Sequence, residues 1–186
     1  MTRGIAVLAV CLLALAVPSV SAQDAAVPEP DGYRTQDYRA PTPSTLKGAR
    51  VLTTSEAADA WRAGGAVFID VMPQAPRPAG LPPGTIWRDK SRRNIPGSIW
   101  LPDTGYGALA AATEDYLRNG LAQAIGDEQT KLLVFYCQKD CWMSWNAAKR
   151  ALALGYRNVA WFPDGSDGWQ DAGLPLADAQ PAPGRP

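Results

Sequence analysis

No histidine occurs anywhere in the 186 residues. That absence excludes Ser-His-Asp and Cys-His catalysis, imidazole metal ligation and any c-type haem motif, each of which needs an imidazole. Cysteine is scarce as well. Of the three present, Cys11 lies in an apolar N-terminal stretch, which leaves Cys137 and Cys141. Two thiols without histidine make a closed four-ligand zinc site improbable, so no metal and no resident cofactor are expected. An excess of charge of one sign is also lacking, because 18 Lys+Arg face 18 Asp+Glu. A balanced chain argues against nucleic acid or an anionic bilayer as a main partner.

What is present begins with a leader. Arg3 supplies a short basic segment, Ile5–Val17 is continuously apolar, and Val20-Ser21-Ala22 has the small-residue pattern of a cleavage site. Residues 1–22 therefore read as a secretory signal peptide cut after Ala22. Loss of Arg3 leaves 17 basic against 18 acidic residues. No later apolar run is long enough to cross a bilayer, so no membrane insertion is expected after cleavage. Export implies an oxidising compartment, where Cys137 and Cys141 can sit as a disulfide unless something reduces them.

Residues 23–50 are polar and proline-rich, with no helix or strand period, and read as an extended arm or linker. Tyr33-Arg34 and Tyr38-Arg39 repeat a Tyr-Arg pair that can anchor such an arm on the domain or on a partner. The domain is expected over residues 51–176. Thr53 and Glu56 have capping-box spacing ahead of the apolar face Ala57, Ala60 and Trp61, and Gly64-Gly65 ends that helix. Ala66–Val71 is a buried strand carrying one carboxylate, Asp70, read as structural and bonded to backbone amides. Five prolines between Met72 and Ile95 predict a long irregular loop, ending in a basic cluster that holds Arg88, Arg92 and Arg93. A short strand at Ser98–Leu101, a helix over Asp115–Ile125, a strand Leu132–Tyr136, a helix Ser144–Leu154 and a strand Val159–Phe162 follow. A short helical turn over Gly168–Ala172 comes next, and residues 177–186 read as a flexible tail. This order predicts one α/β domain with a mostly parallel central sheet flanked by helices.

The chain turns on Lys131–Gly155. The strand Leu132–Tyr136 ends at Cys137, Cys141 follows four residues later, and a helix begins. A thiol at the carboxyl end of a strand, curling into a helix N-terminus, is where an α/β fold places its chemistry. The loop residues Gln138, Lys139, Asp140, Trp142, Met143 and Ser144 are the candidate neighbours, with Trp142 and Trp145 read as packing residues.

Val67–Val71, Ile95–Ile99, the strand-end Cys137, Leu154–Val159 and Gly165…Trp169…Ala172-Gly173-Leu174-Pro175 stand in the order seen in single-domain rhodaneses. Over residues 51–176 the chain resembles that family, which implies a single rhodanese-like domain. Cys137-Gln138-Lys139-Asp140-Cys141-Trp142 and the leader Gly32–Arg39 are most similar to exported "CXXCW motif" proteins associated with PQQ-dependent alcohol catabolism, although three residues separate the cysteines here. That resemblance implies a periplasmic location and a small sulfur-containing or thiol substrate, or a periplasmic protein of the PQQ-dependent oxidation system, as partner. It also implies that Cys137 is a persulfide-carrying nucleophile of the sulfurtransferase type, activated by loop amides and a helix end. Rhodanese loops often carry an arginine near the helix start. Here Lys139 is the only loop cation, so Arg88, Arg92 and Arg93 are the candidates for binding an anionic donor. Two alternatives stay open. Cys141 can lie within the Cα separation of about 4.4–6.8 Å that a disulfide needs, which gives dithiol exchange. Otherwise the domain is a non-catalytic binding or maturation module for a quinoprotein or cytochrome system.

Overall fold

The two apolar runs that the sequence marks as buried strands, β2 (Ala66–Asp70) and β5 (Leu132–Tyr136), lie side by side in parallel, from Ala66 opposite Leu132 to Asp70 opposite Tyr136. The structure, a computed structural model, describes residues 27–186, so the expected signal peptide falls outside the described residues. Around that pair a five-stranded sheet assembles in the order β1-β6-β5-β2-β4, every neighbour parallel. β6 (Val159–Phe162) flanks β5, β4 (Ile99–Trp100) flanks β2, and β1 (Arg50–Val51) forms the far edge. β1 was not anticipated, since two residues are too few to show a period.

Strand alternation divides the core. Ile69, Leu133, Phe135 and Trp161 face α2 (Ala111–Ile125) and α3 (Trp142–Ala153), while Phe68, Val134, Tyr136 and Phe162 face α1 (Thr54–Ala63) and α4 (Gly165–Asp171). Burying each of these large side chains contributes about 1.5–3 kcal/mol. The capping box forms as expected: Glu56 N–H donates to Thr53 Oγ1 at 3.3 Å, and Thr53 N–H donates to Glu56 Oε2 at 2.8 Å. In α2 the unfavourable Gly120 has a tertiary cause. A Cβ there would lie 2.5 Å from Leu101 Cδ2, so only glycine lets helix and strand approach this closely.

Three expectations need correction. The 72–95 segment is not irregular throughout, because β3 (Arg92–Asn94) pairs antiparallel with β7 (Ala177–Ala179). By the same pairing, residues 177–186 are not a flexible tail. Ala182 N–H donates to the Trp100 carbonyl at 2.8 Å, Tyr116 Oη donates to the Ala182 carbonyl, and Arg185 reaches Asp103 and Gln74. Thirdly, of the two readings of residues 23–50, the linker gives way to the arm: from Val27 onward the chain runs along α3, anchored on the domain. Asn146 exchanges both bonds with the Arg34 backbone at 2.8–2.9 Å, and Trp142 Nε1 and Trp145 Nε1 donate to the Pro41 and Thr45 carbonyls. Arg34 lies over the Trp142 ring, and Arg150 over Tyr33. Sequence periodicity is blind to such contacts, because each joins segments roughly a hundred residues apart.

Candidate functional site

Cys137 follows β5 by one residue and keeps its alternation, so its side chain turns with Leu133 and Phe135 toward the α2/α3 face. Its sulfur is wholly buried, 3.4 Å from Met72 Sδ. The chain then makes a tight loop in which Asp140 takes a left-handed conformation (φ 54°). Cys141 sits as the N-cap of α3, with φ −124° and ψ 107°. There it stands over amides that have no partner within the helix. The N–H groups of Gln138, Met143 and Ser144 bond its sulfur.

The two thiols are consequently unlike. A hydrogen bond from Cys137, with the amides of Met143, Gln138 and Ser144, brings Cys141 down to about 7 against the opposing effect of burial. Burial, then Cys141 itself and Asp70, push Cys137 well above the usual thiol range, with Arg92 opposing. The Cys137 proton has two sulfur acceptors, Met72 and Cys141. A thiolate accepts more strongly than a thioether, so ionisation of Cys141 draws that proton to it. Both cysteines are free. The sequence reading located activation at Cys137; in the structure the amide donors converge on Cys141. Strand alternation carries the Cys137 side chain out of the loop curl, whereas the N-cap position holds Cys141 inside it.

Behind the pair lies an ion pair. Asp70 is fully buried, accepts from Met72 N–H at 2.9 Å and pairs with Arg92 Nε at 2.8 Å. Burial raises its carboxyl, opposed by Arg92 and by the Met72 amide. Its structural role includes this cation, which the sequence reading had not linked to it. Arg92 Nη2 also lies 3.4 Å from the Cys137 carbonyl, and that carbonyl accepts from Ser166 N at 3.0 Å and Ser166 Oγ at 3.1 Å. Gly165, at φ 53°, allows this approach. A Cβ there would meet the Cys137 carbonyl oxygen at 2.7 Å.

A cavity of about 500 Å³ opens beside the loop. Met72, Gln74, Lys90, Arg92, Gln138 and Ser166 are among its lining residues. Of the three candidate arginines, only Arg92 reaches the cysteine loop. Arg93 lines the same cavity but spends its guanidinium on the Leu176 carbonyl and Asp178. Arg88 is exposed and not part of the lining. On the opposite side the arm closes the loop. Arg39 bridges antiparallel to Cys141, Ala40 N–H donates to the Asp140 carbonyl, and Trp142 N–H donates to that of Tyr38. Arg39 Nη1 caps the Lys139 carbonyl at 2.7 Å, with the Gln138 amide oxygen turned toward its Nε. Lys139 and Asp140 thus serve through their backbones. Met143 donates its amide to Cys141, and Ser144 adds its hydroxyl on the Cys141 carbonyl to the same amide role.

Sequence reasoning missed Met72 and Ser166. The Gly165…Trp169 pattern marks the turn holding Ser166, but nothing local marks a methionine as a neighbour of a cysteine 65 positions away. Among the described residues no group of three or more His, Cys, Asp or Glu could hold a metal, and no helix is long and apolar enough to cross a membrane.

No curated protein matches the chain significantly. Among solved structures, a thiosulfate sulfurtransferase from Pseudomonas aeruginosa is 20% identical, with a TM-score of 0.49 over 72% of this chain. This chain spans only 21% of that enzyme. A polysulfide-sulfur transferase from Wolinella succinogenes is 18% identical over 72% of this chain and 81% of its own, with a TM-score of 0.44. A Rhodopseudomonas palustris protein described as a possible tyrosine phosphatase is 25% identical over 73% of this chain and 99% of its own, TM-score 0.45. The family model for the rhodanese-like domain matches residues 53–172, from the N-cap of α1 to the end of α4. With that match and the parallel sheet, the chain belongs to the rhodanese-like domain family.

Proposed function

We propose that this protein carries sulfane sulfur on the Cys137–Cys141 pair, as an exported, periplasmic member of the CXXCW group that serves PQQ-dependent alcohol oxidation. The context rests on the leader and on the cysteine-loop sequence. The chemistry rests on one observation, Cys141 at the N-cap of α3, where the N–H groups of Met143, Gln138 and Ser144 favour its thiolate and burial keeps Cys137 protonated. Amide donors and a helix N-terminus stabilise a thiolate or a persulfide anion without any imidazole.

In this reading the Cys141 thiolate attacks the outer sulfur of a donor such as thiosulfate. A sulfur–sulfur bond to Cys141 forms, the donor's own sulfur–sulfur bond breaks, and its electron pair leaves with sulfite. An acceptor thiolate then takes the outer sulfur, and the electron pair of the broken bond returns to Cys141. Arg92, at the junction of cavity and loop, offers positive charge to an anionic donor. The test is to treat reduced protein with thiosulfate and locate one added sulfur by mass spectrometry. The expected result is loading of Cys137→Ser and none of Cys141→Ser. The reverse pattern makes Cys137 the carrier. No persulfide in the wild type with thiosulfate or any other sulfur donor ends the sulfur-carriage reading.

Two adjacent free thiols with opposed pKa shifts also favour a second reading, dithiol exchange. Cys137, once deprotonated, attacks the Cys141 Sγ of a mixed disulfide; the 137–141 disulfide forms, the bond from Cys141 to the substrate sulfur breaks, and the departing thiolate takes its electron pair. A potential below about −300 mV for the pair marks a structural bridge and removes this reading.

A further inference from the structure

Both sulfurs are enclosed: Cys137 is 0% and Cys141 3% exposed. Any donor must therefore pass something that moves. Two barriers stand around the pair, and they differ in what opening them requires.

Beneath the arm, opening means breaking backbone bonds on both sides of Arg39, at Asp140 and Trp142, together with the neighbouring Asn146–Arg34 pair. Those bonds form one cooperative strip along α3. On the cavity side a side chain rather than a backbone strip lies against Cys137. Met72 lines the cavity, and its Sδ lies 3.4 Å from Cys137 Sγ. Its backbone is clamped at both ends, by Met72 N–H to Asp70 Oδ1 at 2.9 Å and by Trp100 Nε1 to the Met72 carbonyl at 2.7 Å. An unbranched side chain with three rotatable bonds can swing on that fixed backbone without unfolding the segment. The lining brings the N–H donors of Lys90, Arg92 and Arg93 to the cavity, the last two held in ion pairs with Asp70 and Asp178, and such donors suit an anion. A volume of about 500 Å³ admits a small molecule and excludes a protein domain.

We propose that the Met72 side chain is the door to the Cys137–Cys141 pair, and that a small anionic sulfur compound reaches the sulfurs past it rather than from under the arm. The proposal deepens the sulfur-carriage reading and rests on it for the identity of the donor. Met72 is a positioning residue here, since it acts by covering and releasing the thiols.

Alkylation of the reduced protein by iodoacetate, followed by mass spectrometry across pH, separates access from ionisation. The plateau rate reports access, and the midpoint reports the thiolate. Met72→Ala is expected to raise the plateau about tenfold, and Met72→Leu, which keeps the bulk, to stay within about twofold of the wild type. Met72→Phe is expected to lower the plateau, and it keeps the test valid if the alanine variant melts early. Asn146→Ala, which loosens the arm, is expected to leave the plateau within about twofold. A plateau indifferent to residue 72, or one that rises more with Asn146→Ala, overturns the door. Thiosulfate loading of the same variants reads the other question. Faster alkylation of Met72→Ala with no persulfide on any variant sinks sulfur carriage and leaves the door standing. Wild-type persulfide with an indifferent plateau does the opposite.

Discussion

At the scale of single residues, one position decides the chemistry, and it is set by backbone direction. Cys137 and Cys141 are four apart in sequence, yet one follows the alternation of β5 into the core and the other caps α3. Cys141 is held at about 7, with the Cys137 hydrogen bond as the leading cause. Its thiolate is therefore the dominant form above that pH and is lost as pH falls through it. The alkylation rate is expected to rise with pH with a midpoint near 7, and the adduct at neutral pH to sit on Cys141. A midpoint in the ordinary thiol range, or an adduct on Cys137, contradicts the amide cradle. Asp70 and Arg92 make a second prediction. Asp70→Asn leaves the Arg92 guanidinium, 15% exposed, without its counter-charge. A loss of about 3 kcal/mol in chemical denaturation is expected. Slower sulfur loading should accompany it, because Arg92 no longer has a fixed direction. The sequence marked Asp70 and Arg92 separately, 22 positions apart, and only the fold pairs them.

The elements show where local propensity is overruled. Gly120 looks like a flaw in α2, since alanine is the better helix former by about 1 kcal/mol. A Cβ at that site meets Leu101 Cδ2 at 2.5 Å and Cδ1 at 2.9 Å, and Leu101 is fully buried with nowhere to move. Overpacking of this kind costs about 1–3 kcal/mol. The two effects oppose each other, and packing wins. Gly120→Ala is expected to lower stability by about 1 kcal/mol in a denaturant titration, and a stabilised variant would show that Leu101 can yield. Local signals fared better at α1, where Thr53, Glu56 and Gly64 mark both ends in the sequence and form both caps in the structure. They were weaker at α2 and α4, which begin at Ala111 and Gly165, upstream of where their apolar patterns start. Neither helix has a side-chain cap hydrogen bond that would mark its first turn.

For the molecule as a whole, the segments on either side of the domain, residues 27–49 and 177–186, are structural parts. The arm covers α3 and the cysteine loop, and the C-terminal segment holds β3, whose first residue is Arg92. Truncation after Leu176 removes β7, the Ala182–Trp100 bond and the Arg185 contacts. Such a protein is expected to melt at a lower temperature and to be cut faster within residues 73–91 in limited proteolysis. It should also load sulfur more slowly, because Arg92 loses its strand. Unchanged cleavage and loading would mean that the long loop holds Arg92 unaided.

Composition and local pattern were enough for the architecture and for the place of the two thiols in it. A chain without histidine leaves thiol chemistry to backbone amides, and apolar runs such as Val67–Val71 and Leu132–Tyr136 in this order specify a parallel sheet with its thiols at the carboxyl edge. Which thiol the amides favour as anion, which arginine reaches the cysteine loop, and what stands over Cys137 were decided in three dimensions. Cys141 depends on the direction of three amides, Arg92 on pairing with a strand 85 positions later, and Met72 on a contact between two neighbouring strand ends. Those contacts follow from the placement of distant segments, which hydrophobic period and capping residues do not encode.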